Sequence, residues 1–582
     1  MKEKKAFIGL CVIIVVTLII YLPSLNGDFI FDDFNNIVYN YRILIKDLTP
    51  ISIMQVLTCT KGGIRPLAHF SFALNYYFFG INPLYYHLVN LIFHFINIVL
   101  VFFVVKKLWE RLEEKDNGDT AALIAALFFA TATIQTSAVS YIVQRMALGM
   151  TLFSLLSILL FLNKKYFYSF VCIMLAFGFK ENAVLVLPIL FFLYWIENGK
   201  DKKLIVYGLL VFLFLGTIII SPYGFNLLEH FKQGYKLKNF SMLERVLTEP
   251  RVIFHYISLV IFPYFKRFAI NYDYPLSTSL LSPITTLFSI IGLILLIAFT
   301  FLCKRKYLSF FTGFFLIALS MENSFIPLDI AYEHRMYFPL IAISAIIGYL
   351  FVKFEKKKAI PFLIILIILF NTLNTYKRNT QYKDYISILK QDLTLYPNNV
   401  RALYNMFAMK LKNKEKKEAI KYLELCLKNN PRVYNVYASY ADYLSEKNSP
   451  QTAIEYLQKI LKEKKEIDKP HLIMWKIAKL YEKAQDSKNA LKWYSNAMKK
   501  HPSSIKIRRD FGLFLFNNGN YYYGYLNMAK AYELDNYNPL TVYYLAKMTK
   551  ILKMNDKFKF FSKFYKFLYQ KGRYYNLPVP EF

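Results

Sequence analysis

Residues 6–33 read AFIGLCVIIVVTLIIYLPSLNGDFIFDD. The apolar run behind the basic start MKEKK is read as a membrane helix over residues 6–25, close to the ~20 residues that a helix needs to cross the hydrocarbon core. Two adjacent carboxylates, Asp32 and Asp33, follow directly outside it. Ionisable groups at this boundary are costly to hold and are functional candidates by default. A basic start before an apolar run also has the form of a signal peptide, but no small-residue cleavage site follows, so the reading is an uncleaved anchor.

The rest of the composition agrees with a membrane chain. Of 582 residues, 56% are hydrophobic, with 54 Phe and 47 Tyr, and this is too apolar for a soluble protein of that length. The formal net charge of +33 is distributed in two ways. Part lies in short loops between apolar spans, where it sets orientation. The rest lies in the Lys-rich last third, where it suits a solvated helix surface, anionic head groups or acidic partners rather than nucleic acid. The five cysteines (Cys11, Cys59, Cys172, Cys303, Cys426) have no metal-ligand spacing, so neither a disulfide framework nor a zinc site is read.

Apolar segments of crossing type lie near residues 6–25, 85–105, 120–134, 146–162, 166–179, 182–196, 204–221, 283–303, 307–320, 336–352 and 359–375. With eleven crossings and a cytoplasmic N-terminus, the clusters Lys2/Lys4/Lys5, Lys106/Lys107, Lys164/Lys165, Lys200/Lys202/Lys203, Lys304/Arg305/Lys306 and Lys353/Lys356/Lys357/Lys358 all fall on the cytoplasmic side. The apolar stretch 251–265 would break this pattern as a full crossing and is read as re-entrant or interfacial. The outer segments are then 26–84, 135–145, 180–181, 222–282, 321–335 and everything after about 376. Short amphipathic helices lying on the membrane are expected in 26–84.

Beyond residue 380 the chain becomes soluble in composition and repetitive. NVRALYNMFAMKLKNKEKKEAIKYLELCLKNNP (399–431) is followed by RVYNVYASYADYLSEKNSPQTAIEYLQKILKE (432–463). Then come HLIMWKIAKLYEKAQDSKNALKWYSNAMKKHP (471–502) and the looser SIKIRRDFGLFLFNNGNYYYGYLNMAKAYELDNYNP (504–539). Apolar residues recur at three and four, Ala419, Ala453 and Ala490 mark the second helices, and Pro397, Pro431, Pro502 and Pro539 stand near repeat ends. A helix-turn-helix period near 34 resembles tetratricopeptide repeats, which stack into a superhelix with a concave binding face. The fold class is therefore all-α, a polytopic helical domain followed by an α-solenoid. The domains are drawn at 1–376, 377–554 and a basic, aromatic cap or tail at 555–582.

Several polar residues fall at the outer ends of the spans. Asp32 and Asp33 offer a general base or a hard-cation ligand, such as Mg or Mn, against the alternative of a helix N-cap. Arg65 can clamp a phosphate or snorkel to the interface. His87 and His94, seven residues apart on one helix face, are read as structural. Gln135, Thr136, Tyr141 and Arg145 share one outer turn, and Lys180 and Glu181 another, where adjacent opposite charges either pair or stay hydrated. ENSFIPLDIAYEHRMYFP (322–339) contributes Glu322, Asp329, Glu333, His334 and Arg335, the last two suited to a phosphate or pyrophosphate. Acids, Arg, Lys and His gathered at one leaflet suit a lipid-phosphate-linked donor: a carboxylate deprotonates an acceptor hydroxyl while Arg335, Arg65 and Lys180 neutralise the leaving phosphate and Glu181 and His334 orient it.

The span ending in FDDFNNI, the stretch RPLAHFSFALNYYFFGINPLYYHLVNLIFH (65–94), the Lys180-Glu181-Asn182 turn, EHRMYFP (333–339) and the terminal repeats together resemble the transmembrane-plus-tetratricopeptide O-mannosyltransferases and their bacterial relatives. The resemblance implies a GT-C membrane domain, a polyprenyl-phosphate sugar donor, a Ser or Thr hydroxyl on an exported protein as acceptor, Asp32 or Asp33 as base, and repeats that hold the acceptor. It places the enzyme in the cell (inner) membrane with its repeats extracytoplasmic. Relatives often carry a His-Pro-x-His-Thr-Glu turn where this chain has Thr133-Ile134-Gln135-Thr136-Ser137, which leaves the sugar open. An oligosaccharide ligase or oligosaccharyltransferase, and a non-catalytic membrane-anchored scaffold, are the alternative readings. A transporter is disfavoured because neither internal symmetry nor paired acids within the spans is evident.

Overall fold

A computed structural model describes residues 2–58, 65–113, 117–199, 231, 234–236, 238–464 and 466–571. Among the described residues the chain is all-α, helices joined by turns and single 3-10 turns, with no strand. It divides into two compact units, Met1–Val38 with Val56–Pro397, and Tyr39–Gln55 with Asn398–Phe582.

In chain order the helices up to Pro397 are α1 (Lys2–Tyr21), α2 (Pro50–Leu57), α3 (Pro66–Phe79), α4 (Pro83–Leu112), α5 (Gly118–Thr131), α6 (Arg145–Leu162), α7 (Tyr166–Phe179) and α8 (Val186–Asn198). They continue with α9 (Met242–Ile261), α10 (Thr285–Leu302), α11 (Lys306–Ser320), α12 (Leu340–Lys353), α13 (Ala359–Gln381) and α14 (Tyr385–Leu395). Among the described residues six helical segments are long and apolar enough to cross a membrane, or seven if α5 and the following turn, bent by 53°, form one span. Shorter apolar helices α7, α11 and α12 occupy three further segments read as crossings, and 204–221 lies outside the described residues. The stretch 251–265 falls largely in α9, which starts earlier, at a capping box between Ser241 and Glu244, and continues through Pro250. It is not among the segments long and apolar enough to cross.

Small residues allow the close approaches in the first unit. A Cβ on Gly348 of α12 would lie 2.2 Å from the Ala121 carbonyl oxygen of α5, so the two backbones meet with no room for a side chain. Arg145, at the start of α6, is fully buried. It donates to Asn90 Oδ1 (2.7 Å), Asn75 Oδ1 (2.5 Å), the Tyr86 carbonyl (3.0 Å) and the Ser71 carbonyl (3.1 Å), and lies over the Phe72 ring. One guanidinium thus ties α3, α4 and α6 together, and its role is structural.

Two buried carboxylates clamp residues 269–271. Glu333 Oε1 accepts from the Ala269 N–H (2.7 Å) and the Tyr272 hydroxyl (2.6 Å). Asp392 of α14 accepts from the Ile270 N–H (2.8 Å), the Asn271 N–H (3.1 Å) and the Asn271 amide (2.9 Å). Burial pushes Glu333 up to about 7 and Asp392 to about 6, against the pull of their donors and of Arg378. The clamp explains why residues 377–397 belong to the first unit and not with the repeats, as the composition change near 376 suggested.

In the second unit the helix pairs are α15 (Val400–Lys412) and α16 (Lys416–Lys428), α17 (Tyr434–Lys447) and α18 (Pro450–Glu463), α19 (Pro470–Lys483) and α20 (Ser487–Lys500), and α21 (Ile505–Asn517) and α22 (Tyr521–Leu534). Then come α23 (Pro539–Ile551) and α24 (Asn555–Lys571). Ala419, Ala453 and Ala490 are fully buried where each second helix meets the first. The fourth pair uses Gly524 there: a Cβ on Gly524 would lie 2.8 Å from the Gly512 carbonyl oxygen, and one on Gly512 the same distance from that of Gly524. The absence of an Ala therefore does not break the repeat. Helix α24 is a cap, with Phe561, Tyr565 and Leu568 packed in the same core as Val542 and Leu545 of α23. The segment Tyr39–Gln55 also belongs to this unit. Tyr41 and Arg42 both bind the buried Asp535 carboxylate, the latter with Nη2 at 3.0 Å, and Arg42 lies over the Tyr537 ring.

Two outcomes follow. Gly512→Leu overpacks the α21–α22 contact and is expected to cost about 1–3 kcal/mol, seen as an earlier unfolding transition of the detergent-solubilised protein, whereas Asn517→Leu at the end of α21 leaves it nearly unchanged. Glu333 and Asp392 have raised pKa values, so the stability they contribute is complete below their unfolded values and is lost as pH rises toward about 7 and about 6. Wild-type thermal stability should therefore fall more steeply between about pH 4.5 and 7 than that of Glu333→Gln, which cannot ionise; parallel profiles would remove Glu333 from the account.

Candidate functional site

The carboxylate pair is split by the backbone. Phe31 takes a φ of +41°, a strained conformation for a bulky residue, and the chain turns sharply just before the acids. Asp33 points inward and is fully buried. Its Oδ1 accepts from the Val143 N–H (2.7 Å) and its Oδ2 from the Ile30 N–H (2.9 Å). Burial pushes its carboxyl well up, opposed by those two donors. The residue staples its loop to the turn Ile142–Gln144. Asp32 is half-buried; its N–H donates to the Tyr141 hydroxyl (3.0 Å) and its carbonyl accepts from the Asn36 amide (2.9 Å). The two backbone contacts fix the position of Asp32.

Lys180 and Glu181 are neighbours in sequence but do not pair with one another. Lys180 is extended, with φ −157° and ψ 140°, at the break between α7 and the turn Glu181–Leu185, and extended residues alternate in direction. Glu181 turns to Arg65, which grips it with two nitrogens, Nε–Oε2 at 2.8 Å and Nη2–Oε1 at 2.5 Å. Lys180 turns to Glu322, Nζ–Oε1 at 2.7 Å, with both side chains nearly buried. Burial alone would raise Glu322, but Lys180 and Arg335 hold it below the usual carboxylate range, and Asn182 adds a hydrogen bond.

Arg335 spends its guanidinium on main chain, donating to the Ile330 (2.9 Å) and Asp329 (2.6 Å) carbonyls beneath the Tyr332 ring. It shapes the loop before the turn Glu333–Met336. His334 is half-buried and stacked on Tyr332 at 5.2 Å. Burial, then the charges of Lys180, Arg335 and Arg65, hold its pKa well below the ordinary value, so the ring is a neutral donor and acceptor near pH 7 and not a cation.

Lys180, Asn182, Glu322, His334 and Arg335 line one small cavity together with apolar side chains such as Met150, Leu185 and Ala318. The Arg65–Glu181 pair adjoins it: the charge of Arg65 acts on His334, and those of Glu322 and Asp32 act on Arg65. Of the sequence candidates, Lys180, His334 and Arg335 thus share a cavity, Arg65, Glu181 and Asp32 lie within its electrostatic reach, and Asp33 faces the interior. Glu322 was visible only as one acid in an outer segment; its pairing across 142 residues has no local signal. His87 and His94 are buried, contacting the Gly27 carbonyl (3.3 Å) and the Tyr337 hydroxyl (2.8 Å), in keeping with a structural role. Among the described residues no three His, Cys, Asp or Glu side chains are placed to hold a metal ion. With both Asp33 oxygens accepting N–H groups, the Asp pair is a poor fit for the divalent cation allowed for at the sequence level.

No family model matches the chain. The chain is 25% identical over 433 residues to the protein O-mannosyl-transferase F38B6.6 of Caenorhabditis elegans, a match that covers 70% of this chain and 61% of that relative. Among solved structures, yeast Tom70 aligns at 12% identity and a TM-score of 0.29 over 81% of this chain and 92% of its own. The pilF protein of Pseudomonas aeruginosa aligns at 13% and 0.28 over 32% and 83%; neither score carries an argument. With its all-helical described fold and its apolar helices long enough to cross a membrane, the chain is a membrane protein similar in sequence to a protein O-mannosyl-transferase of Caenorhabditis elegans, of which it spans less than two thirds.

Proposed function

We propose that the protein is an integral-membrane glycosyltransferase that moves a sugar from a polyprenyl-phosphate carrier to a Ser or Thr hydroxyl of an exported protein. The observation that carries this reading is the cavity holding Lys180, Glu322 and His334 together with apolar side chains, and the adjoining Arg65–Glu181 pair, whose Arg65 feels the charge of Asp32. Charged and apolar side chains around one cavity correspond to the two parts of a ligand with an anionic head and a hydrocarbon tail. The relative's name makes mannose the first sugar to test.

In this mechanism Asp32 takes the proton of the acceptor hydroxyl as that oxygen attacks the anomeric carbon. The bond from that carbon to the phosphate oxygen breaks, the configuration inverts, and the polyprenyl phosphate leaves with the bonding pair. Lys180 and Arg65 offset the charge that develops on it. His334, as a neutral ring, and Glu181, through its grip on Arg65, orient the head group, while Arg335 supports the loop that carries His334. Asp33 keeps the Asp32 turn in place. The repeats hold the acceptor on their concave face. The same reading keeps eleven crossings, a cytoplasmic N-terminus and an extracytoplasmic repeat unit in the inner membrane.

The test is a transfer assay in nanodiscs with polyprenyl-phosphate sugars and exported-protein acceptors. Asp32→Asn is expected to lower the rate by about a hundred- to ten-thousand-fold with an unchanged unfolding temperature. Asp33→Asn keeps one acceptor oxygen but turns an amide against a backbone N–H, so it is expected to cost about 1–3 kcal/mol of stability. Its remaining folded fraction stays active. Undiminished transfer by Asp32→Asn would refute the assignment of the base, and transfer only from oligosaccharide carriers would point to a ligase.

A further inference from the structure

The Lys180–Glu322 pair sits where, on the reading above, the donor phosphate must bind. The Glu322 carboxylate is held by Lys180 Nζ at 2.7 Å, receives a hydrogen bond from Asn182, and lies in the field of Arg335. Lysine, amide and arginine around one carboxylate form the surroundings that a phosphate would require. Three of the cations nearby, Lys180, Arg335 and Arg65, differ in how free they are to accept a new anion, while Arg245 is bound to main-chain carbonyls and Glu249. Arg335 is committed to two carbonyl oxygens, and Arg65 is forked onto Glu181. Lys180 makes a single-point contact through an ammonium with three donors on a flexible stem.

Glu322 follows the end of α11, in a run of turns and bends, and its own carbonyl is pinned by Arg245 Nη2 at 2.7 Å. The backbone of Glu322 is thus held apart from its side chain, whose carboxylate is anchored by Lys180. A buried Lys without a counter-ion is strongly unfavourable, so an empty cavity needs an anion beside Lys180, and a filled one would hold two.

We propose that Glu322 is a resident stand-in for the phosphate of the lipid-linked donor. It neutralises Lys180 in the empty cavity, yields that position to the phosphate when the donor binds, and returns to expel the polyprenyl phosphate after transfer. The inference rests on the glycosyltransferase reading for the ligand's identity but concerns binding, which is measured apart from transfer. Glu322 is on this account a positioning residue that sets the affinity of the phosphate subsite and the speed of its release.

The test uses the full chain in nanodiscs and measures binding of a short-chain polyprenyl phosphate, with the matching polyprenol and inorganic phosphate as comparison ligands. Glu322→Gln removes the competing charge and keeps the shape. It is expected to bind polyprenyl phosphate about tenfold more tightly, a change of about 1.4 kcal/mol, with polyprenol binding unchanged. Inorganic phosphate should compete better in the variant as well. In the transfer assay, KM for the donor and kcat should fall together, as slow product release requires. The pair Lys180→Gln/Glu322→Gln should lose the gain. Binding by folded Glu322→Gln that is no tighter than wild type, or tighter to the same degree for polyprenol, overturns the proposal; so does a gain confined to inorganic phosphate, which would mark a free-phosphate site. Should Glu322→Gln fail to fold, Glu322→Asp retains the charge but shortens its reach to Lys180. It should still bind polyprenyl phosphate more tightly than wild type, and equal or weaker binding overturns the proposal. Absence of sugar transfer by every form, with the binding gain intact, would instead reject the glycosyltransferase reading.

Discussion

A charge at the edge of hydrocarbon must have a partner, and the first unit is organised around this constraint. Arg65 with Glu181, Lys180 with Glu322, and Arg245 with Glu249 are all ion pairs formed near the ends of helices. Arg245 with Glu249, four residues apart, lies within α9, whereas the other two pairs join segments far apart in sequence, where apolar contact discriminates poorly between one apolar helix and another. The pairs therefore fix which ends meet, and where they meet they also leave polar groups gathered around a cavity. The same arrangement that lets these residues exist at the boundary makes them available to a charged ligand.

Arginine is used in two ways that its chemistry separates. Arg145 and Arg335 give most of their donors to carbonyl and amide oxygens and are thereby removed from ligand chemistry. Arg65 keeps a carboxylate partner at the border of the cavity. A fully satisfied guanidinium acts as a rigid joint between segments, whereas a paired one keeps an ion that another anion can share. Sequence cannot tell the two apart, because both stand at span ends beside aromatic residues.

Much of the architecture was legible in the chain. Apolar runs and basic loops marked the helices that end in described spans, and the period near 34 with Ala419, Ala453 and Ala490 marked the repeats, since each Ala sits where two helices touch. The looseness of the fourth repeat was a matter of Gly standing in for Ala, as Gly512 and Gly524 meet. The site was legible as a set of residues at one face, but not in its pairings. Adjacent Lys180 and Glu181 point to partners 142 and 116 residues away, and adjacent Asp32 and Asp33 part company at Phe31. What decides their roles is the direction of single side chains, and that is set by φ and ψ at breaks in helices, where periodicity carries no information. The boundary near 376 was read from composition, which counts residues 377–397 as polar whether their charges are buried, as Arg378 and Asp392 are, or exposed, as Lys377, Lys383 and Lys390 are.

The membership of Tyr39–Gln55 in the repeat unit has a consequence for how that unit is inherited as a piece of chain. The polypeptide passes from one unit to the other after Val38, after Gln55 and after Pro397. The solenoid is therefore not a contiguous module that recombination or proteolysis could detach at a single point. Cut at residue 398, it would leave behind Tyr41 and Arg42, and Asp535, whose side chain is 1% exposed, would be stranded without its cation. A gene fusion that appended only the terminal repeats to another protein would carry over the visible periodicity but not the segment that completes it.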